Sequence, residues 1–564
     1  MQAAQTSSKL EAYDAIVVGS GATGGWAAKR LAEAGLKVAL LEAGRNVSPK
    51  EFTEHIPVYK LKYRDMSPEI ARTRPVQKQC YACMEYNYDW FVDDLQNPYS
   101  TPAGKPFTWQ RLRIVGGRTL VWGRQSYRMS DLDFKAASHD GYGDDWPISY
   151  RDVEPYYDIV ERYVGVSGAA EGNPTLPDGQ FLPAMKMTCG EVQMRDRVKA
   201  KFGRTVTIGR TAILTQNHNG RAACHYCGPC ERGCITFSYF SSPFTTVADA
   251  LKTKNCTLIT NAVVRHVDMD NAANHATGVT YIDRLSHQTY QIRAKSVILC
   301  AQALESTRIL LNSSTRVYPK GLANGSDALG HYLMDHAVGA GASGDLPGFD
   351  PTPMPLSGPH RANGIYVVRF RNVLNGPRHS RFIRGYGYQG GAQGSFDYGA
   401  QGFGADYKKA VKAGAYGVNL GAFGESLARW DNYCDIDPEL RDAWGIPSLR
   451  IQMTHGDNER AMMEDAAVSA AEMLEAAGAK NIRVNSRLAM PGMAIHETGT
   501  ARMGADPKKS VLNSFNQTHD VKNLFVMDGA CYPSSACQNP TLTFMALCVR
   551  ACDHLIERFK KNEV

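Results

Sequence analysis

Four of the fourteen cysteines of this 564-residue chain fall within eleven residues, Cys224-His225-Tyr226-Cys227-Gly228-Pro229-Cys230-Glu231-Arg232-Gly233-Cys234, at the spacing C-x2-C-x2-C-x3-C. That spacing is a cluster-binding run: glycine and proline let the chain wrap until several sulfurs converge, and backbone N–H groups offset the negative charge of an iron–sulfur group. Ile235 stands where a proline usually follows the fourth cysteine. Zinc is an alternative, although its sites usually separate two ligand pairs by a longer loop. Disulfides between such near neighbours rarely meet the required geometry. The spacing leaves the iron count open between a four-iron cluster and a three-iron one that needs only three of the cysteines. Cys80 and Cys83 form a separate C-x2-C, open between external ligand, disulfide and free thiols. Cys189, Cys256, Cys300, Cys434, Cys531, Cys537, Cys548 and Cys552 are scattered in mostly apolar contexts and are expected as buried free thiols.

A second kind of chemistry lies in the glycines. Asp14-Ala15-Ile16-Val17-Val18-Gly19-Ser20-Gly21-Ala22-Thr23-Gly24-Gly25 runs from an apolar strand through glycines into a helix-compatible stretch, Trp26 to Ala34. A second strand, Lys37 to Leu41, ends in Glu42. This is a βαβ dinucleotide fingerprint: Gly19 permits the tight turn, Gly21 lets the backbone approach a pyrophosphate, Gly24 brings helix against strand, and Glu42 is placed to bond ribose hydroxyls. A further glycine-led segment, Val115-Gly116-Gly117-Arg118-Thr119-Leu120-Val121-Trp122-Gly123, is too distant to belong to the same turn. Near the other end, Asn523 to Ala530 is an apolar strand ending in Asp528 and Gly529, followed by Asn539-Pro540-Thr541-Leu542-Thr543.

Together with Ala301 to Leu311 and Gly499 to Gly504, these segments resemble the glucose-methanol-choline family of flavoprotein oxidoreductases, most closely its pyranose-oxidase-like and bacterial sugar-dehydrogenase branch. The resemblance covers most of the chain. It implies an α/β fold of two domains: a Rossmann-like FAD-binding domain, assigned to residues 1–335 and 490–564 with the cysteine run inserted near 220–240, and a discontinuous substrate domain on a mostly antiparallel sheet, residues 336–489. Gly385 to Gly424, rich in Gly, Tyr and Phe, is expected as sheet edges and cleft-lining loops, and Glu459 to Ala479 as an amphipathic helix. The cofactor-binding residues then include Gly116, Gly117, Thr119, Trp122, Asp528, Gly529, Asn539 and Thr541 beside the first fingerprint. His496 and Asn539 fall where pyranose-oxidase-like enzymes carry their catalytic His/Asn pair, so His496 is expected to take the hydroxyl proton of an alcohol while flavin N5 takes the hydride. Relatives with covalent flavin carry a histidine before the tryptophan of the second glycine segment; Val121 precedes Trp122 here, so the FAD is expected to be non-covalent.

Within the family, the cysteine run makes the chain resemble most the large subunits of FAD-dependent glucoside 3-dehydrogenases, which oxidise the C3 hydroxyl of glucosides and disaccharides. That resemblance implies electrons leaving through the cluster to a cytochrome c, a small signal-bearing partner subunit, and a periplasmic location. An oxygen-dependent pyranose or glycoside oxidase with structural cysteines and a non-enzymatic electron-transfer subunit are the alternatives. Composition narrows the field further. Lys and Arg total 63 against 56 acids, a +7 balance spread over a long chain, which disfavours nucleic acid as a partner. No window offers the ~18 consecutive apolar residues of a spanning helix, and Met1 to Tyr13 has no apolar signal core.

Overall fold

A computed structural model describes residues 13–65, 68–352, 360–397 and 400–564. The polar N-terminal stretch read for a signal core lies almost wholly outside these residues. Two sheets organise the chain. In the first, Cys256–Ile259, Val38–Leu41, Tyr13–Val18 and Thr289–Leu299 run parallel, and Leu524–Val526 adds a further parallel strand against the end of Thr289–Leu299. Tyr13–Val18 and Val38–Leu41 are almost uniformly apolar and buried, as strands covered on both faces must be. Thr289–Leu299 is long enough to serve twice, since its first half pairs antiparallel with Ala276–Asp283, which in turn pairs with Ala262–Met269. The helices Ala22–Glu33, Tyr150–Val164 and Thr541–Lys560 pack on one another beside this sheet.

The second sheet is antiparallel throughout, in the order Lys480–Asn485, Ala337–Asp345, Tyr416–Gly424, Tyr386–Gly394, Ile365–Val367, Val206–Ile208. The helix expected over Glu459 to Ala479 is Asp457–Ala476, and it crosses one face of this sheet. Strand alternation sorts the residues of Tyr386–Gly394: Tyr386 and Tyr388 pack under that helix, Tyr388 donating to the Ala466 carbonyl at 2.7 Å, whereas Gln389 faces away from it. The glycine-rich stretch therefore supplies the two central strands of the sheet, not its edges, because its alternate positions are apolar enough to bury.

Sheet pairing cuts across the division expected at residue 335. Val206–Ile208 is an edge strand of the second sheet, and the helix Cys189–Phe202 packs on Asp457–Ala476. Conversely, the hairpin Tyr433–Arg441 and Pro447–Gln452 packs against Trp109 and Leu304. A sheet edge takes its partner from wherever the chain returns, so contiguous boundaries misplace these pieces. Among the described residues no helix is long and apolar enough to cross a membrane.

Candidate active site

The parallel strands Tyr13–Val18, Val38–Leu41, Thr289–Leu299 and Leu524–Val526 all deliver their carboxyl ends to one cavity of about 420 Å³, walled by Gly19, Glu42, Cys300 and Asp528, the place where open α/β sheets bind ligands. Gln389 and Phe423 of the second sheet close it from the other side. Three helices begin on its wall, at Ala22, Ala303 and Thr541. Their unpaired N–H groups and dipoles favour an anion there. Gly21 is the N-cap of the first, and a Cβ added at Gly21 would meet nothing within 4 Å, so the backbone lies open to the cavity. Gly24 does not line the wall; a Cβ there would come within 1.8 Å of the Gly19 carbonyl, so it sets the approach of helix to strand.

A hydrogen-bonded knot joins the two glycine segments. Ser20 donates from Oγ (2.6 Å) and N (3.1 Å) to Glu42, whose other oxygen accepts from Gly44 N at 2.8 Å. A carboxylate has about four acceptor sites, so capacity remains for a ribose hydroxyl. Gly116 N donates to Ser20 Oγ at 2.9 Å, Thr119 Oγ1 donates to the Gly116 carbonyl at 2.6 Å, and Ser242 N donates to Thr119 Oγ1 at 3.1 Å. Gly116 thus stands behind the wall, while Gly117, Thr119, Trp122, Asp528, Gly529, Asn539 and Thr541 are on it. Ser306 donates to Asp528 at 2.5 Å, and burial still pushes that carboxyl up to about 6.

The lining also carries buried donors without a protein partner: Gln110 Nε2, Arg111 Nε, Arg113 Nη1, Arg124 Nε and Gln302 Nε2. Left unpaired, each would cost roughly 1–3 kcal/mol. Cationic donors, three helix N-termini and an acid at the second strand match a dinucleotide with a pyrophosphate, and the FAD expected from the sequence fits this wall.

At the junction of the two sheets His496 and Asn539 meet, Asn539 Nδ2 lying 3.4 Å from His496 Nε2. Asn539 Oδ1 accepts from Gln389 Nε2 at 2.6 Å, which fixes the amide with its nitrogen toward the imidazole. The other imidazole nitrogen, Nδ1, is 2.8 Å from His336 Nδ1. Burial, then the neighbouring His336 and Arg118, hold the His496 pKa well below 6.5, so the ring is neutral at neutral pH. Arg118 itself is clamped to Glu497 through both carboxylate oxygens (2.7 and 2.8 Å) and to the Ile495 carbonyl at 2.9 Å. Ser242, Gln389 and His336 belong to no motif read from the sequence, and Ser20 and Arg118, although inside the two glycine segments, have no role assigned by them; their partners lie far along the chain, where spacing does not expose them.

The four clustered cysteines line a second, small cavity together with Tyr239 and His360. Tyr226 and Phe237 adopt left-handed φ, as do Gly228 and Gly233, which is how so short a loop turns its sulfurs inward. Backbone N–H groups of Tyr226 and Ser238 donate to the sulfurs of Cys224 (3.4 Å) and Cys234 (3.3 Å). Burial and mutual repulsion push Cys224 up to about 11 and Cys227 to about 12, so four thiolates here need positive charge among them. Yet among the described residues no three His, Cys, Asp or Glu side chains are arranged to hold one metal ion. Arg124 spans the partition between the cavities: it lines the first, donates to the Cys230 carbonyl at 3.5 Å, and sits 4.9 Å from the Tyr239 ring centroid. Cys80 and Cys83 are buried free thiols, with Cys80 on the wall of the large cavity. Of the eight scattered cysteines all are free, and Cys189 departs from expectation in being exposed, because it opens a helix at the surface.

Two family models, both described as GMC oxidoreductase, match residues 13–338 and 429–548. The chain belongs to the GMC oxidoreductase family. That family implies FAD in the cavity described above. The chain is 29% identical to 2-methyl-1,2-propanediol dehydrogenase of Mycolicibacterium austroafricanum, over 97% of this chain and 95% of that protein. It is 28% identical to the fructose dehydrogenase large subunit of Gluconobacter japonicus, over 97% and 98% respectively. The fold matches pyridoxine 4-oxidase from Mesorbium loti with a TM-score of 0.59 at 18% identity, covering 96% of this chain and 99% of that one. As a GMC oxidoreductase, the chain has its two sheets and its cavity between them accounted for by the family fold.

Proposed function

We propose that this GMC oxidoreductase oxidises a secondary hydroxyl of a sugar or glycoside, the C3 hydroxyl of glucosides and disaccharides, with His496 as base and an acceptor other than oxygen. The observation that carries the reading is the His496/Asn539 pair on the wall of a cavity whose other end is a dinucleotide cradle. FAD, when bound, supplies the hydride acceptor. Neutral His496 takes the hydroxyl proton, Asn539 Nδ2 orients the substrate oxygen, and Gln389 keeps the amide facing it. Phe423 and Gln389 are the sugar-side wall; Tyr386 and Tyr388 are spent in the core under the helix, and Trp430 stacks on His331 at 3.7 Å.

Cys224, Cys227, Cys230 and Cys234 would hold an iron–sulfur cluster, of three or four irons, whose chemistry is one-electron transfer. The inward-wrapped loop, the N–H groups aimed at sulfur and the shared partition at Arg124 support this. A single zinc draws its thiolates to roughly 3.8 Å of one another, from bonds of about 2.3 Å at tetrahedral angles. A cluster keeps them farther apart because iron and sulfide lie between, so iron and zinc content of the purified protein separates the two. The remaining expectations, a small partner subunit, a cytochrome-type acceptor and the periplasm, rest on the sequence resemblance; the Gluconobacter relative is by its name a large subunit.

Anaerobic methyl glucoside should bleach the flavin, with a 3-keto product by NMR. A 2-keto, 4-keto or C6-aldehyde product would sink the regiochemistry while leaving the flavin chemistry intact. His496→Ala should abolish bleaching with FAD still bound, and near-normal bleaching would remove His496 as base.

A further inference from the structure

We infer that His336 is a positioning residue that fixes the tautomer of His496, leaving Nε2 of His496 bare and facing the cavity. The inference rests on the reading of His496 as the base. The hydrogen-bond chain decides it. His336 Nε2 lies 2.9 Å from the Ala536 carbonyl, which can only accept, so that nitrogen carries the hydrogen. The buried ring is neutral at neutral pH, its pKa lowered to about 4, and a neutral imidazole has one N–H, so His336 Nδ1 is a bare acceptor. His496 Nδ1, 2.8 Å away, must then be the donor. A neutral His496 that carries its hydrogen on Nδ1 has its lone pair on Nε2, the nitrogen beside Asn539 Nδ2. With the opposite tautomer Nε2 would carry a hydrogen, could not take a proton from a substrate hydroxyl, and two bare Nδ1 lone pairs would face each other.

Backbone geometry shows that this array is built. Asp335, the residue before His336, accepts the backbone N–H of Gly492 (2.9 Å), Ala494 (3.1 Å) and His496 (2.8 Å). One dipeptide thus holds the backbone of His496 through Asp335 and its ring through His336. Both ends of the relay pass through non-glycine residues at left-handed φ: Ile495 at 64°, immediately before His496, and Ala536 at 57°, whose carbonyl anchors His336. Such conformations cost roughly 1–3 kcal/mol each and persist only where the surroundings impose them. The titratable and charged groups around the pair are Asp335, whose carboxyl is pushed up to about 7 by burial and then by Glu497, and Glu497 and Arg118, which are clamped to each other through two hydrogen bonds.

The test uses the full-length FAD-loaded protein with ¹⁵N-labelled histidine. In the wild type, His496 should show a protonated Nδ1 and a bare Nε2; a protonated Nε2 overturns the inference whatever the variants do. His336→Asn puts an amide oxygen where Nδ1 stood and should keep flavin reduction within about 10-fold. His336→Gln and His336→Leu, which lack an acceptor at that point, should lose at least about 100-fold in the reduction rate at little changed KM, as loss of tautomer control does elsewhere. They should also move the His496 hydrogen toward Nε2. A merely structural role would lower the melting temperature and FAD content of all three variants without this ordering, and wild-type rates in folded His336→Leu overturn the inference. His496→Ala separates the two readings: if it still bleaches, the base assignment fails while the tautomer result stands.

Discussion

His496 shows how burial at a single residue sets chemistry. Desolvation disfavours its imidazolium, and the charge of Arg118 adds to the effect, so the neutral form survives to acidities well below 6.5. The His496 ring should therefore stay neutral by ¹⁵N shifts between pH 7.5 and 6.0, a window in which the rate itself can also respond to Asp335, whose carboxyl is pushed up to about 7 by burial; an imidazolium signal from His496 with a midpoint near 6.5 would contradict the environment described. The same shift acts on stability with the opposite consequence. In the unfolded chain histidine binds a proton near 6.5, whereas His336, lowered to about 4, and His496 do not in the fold. As pH falls from about 6.5 toward 4 the unfolded state gains protons that the native state refuses, so stability is lost over that window. Melting temperatures at successive pH values should fall more steeply for the wild type than for His496→Ala.

At the scale of elements, the βαβ entry depends on close approach. A Cβ at Gly24 would sit 1.8 Å from the Gly19 carbonyl, and backbone cannot yield as a side chain would. Gly24→Ala should displace the helix Ala22–Glu33 from its strand and yield protein with little FAD; full flavin occupancy in a purified variant would show that the packing tolerates it. The loop carrying His496 is tied to the second glycine segment by Arg118, and Glu497 is 3% exposed. Arg118→Met would leave a buried carboxylate unpaired, at about 3–5 kcal/mol, which denaturant unfolding would read directly. These two elements differ in how they could be read from the chain. Gly19, Gly21 and Gly24 are close in sequence and constrained by local backbone sterics, so spacing exposes them. Arg118 meets Glu497 only after hundreds of residues have folded, and nothing near either side chain announces the other.

For the whole molecule, one cavity is formed by the parallel sheet on one side and by Gln389 and Phe423 of the antiparallel sheet on the other, and a partition at Arg124 separates it from the cysteine loop. Valine at 121, on the cavity wall, has no nucleophile to offer a flavin. Acid precipitation should therefore release the FAD to the supernatant, and yellow colour in the pellet would show a covalent bond from another residue. Because the thiols stand in their own cavity, the proposed cluster predicts iron in the wild-type protein and less of it in Cys227→Ser, with FAD content near one per chain in both; an iron-free wild type would remove the cluster, and unchanged iron in the variant would remove Cys227 as a ligand.

Strand–glycine–helix order and the cysteine spacing determined by themselves that a dinucleotide site and a clustered thiol loop were to be expected, since those signals come from backbone sterics and ligand spacing acting over a few residues; the two-domain fold was an expectation carried by the resemblance of several ordered segments to the GMC family. Only the tertiary structure decided that Gly385 to Gly424 forms central strands, that Val206–Ile208 belongs to the second sheet, and that Asp335 and His336 hold His496. The reason is physical: sheet partners and hydrogen-bond partners are chosen by what burial brings together, and His336 reaches His496 across 160 residues of chain.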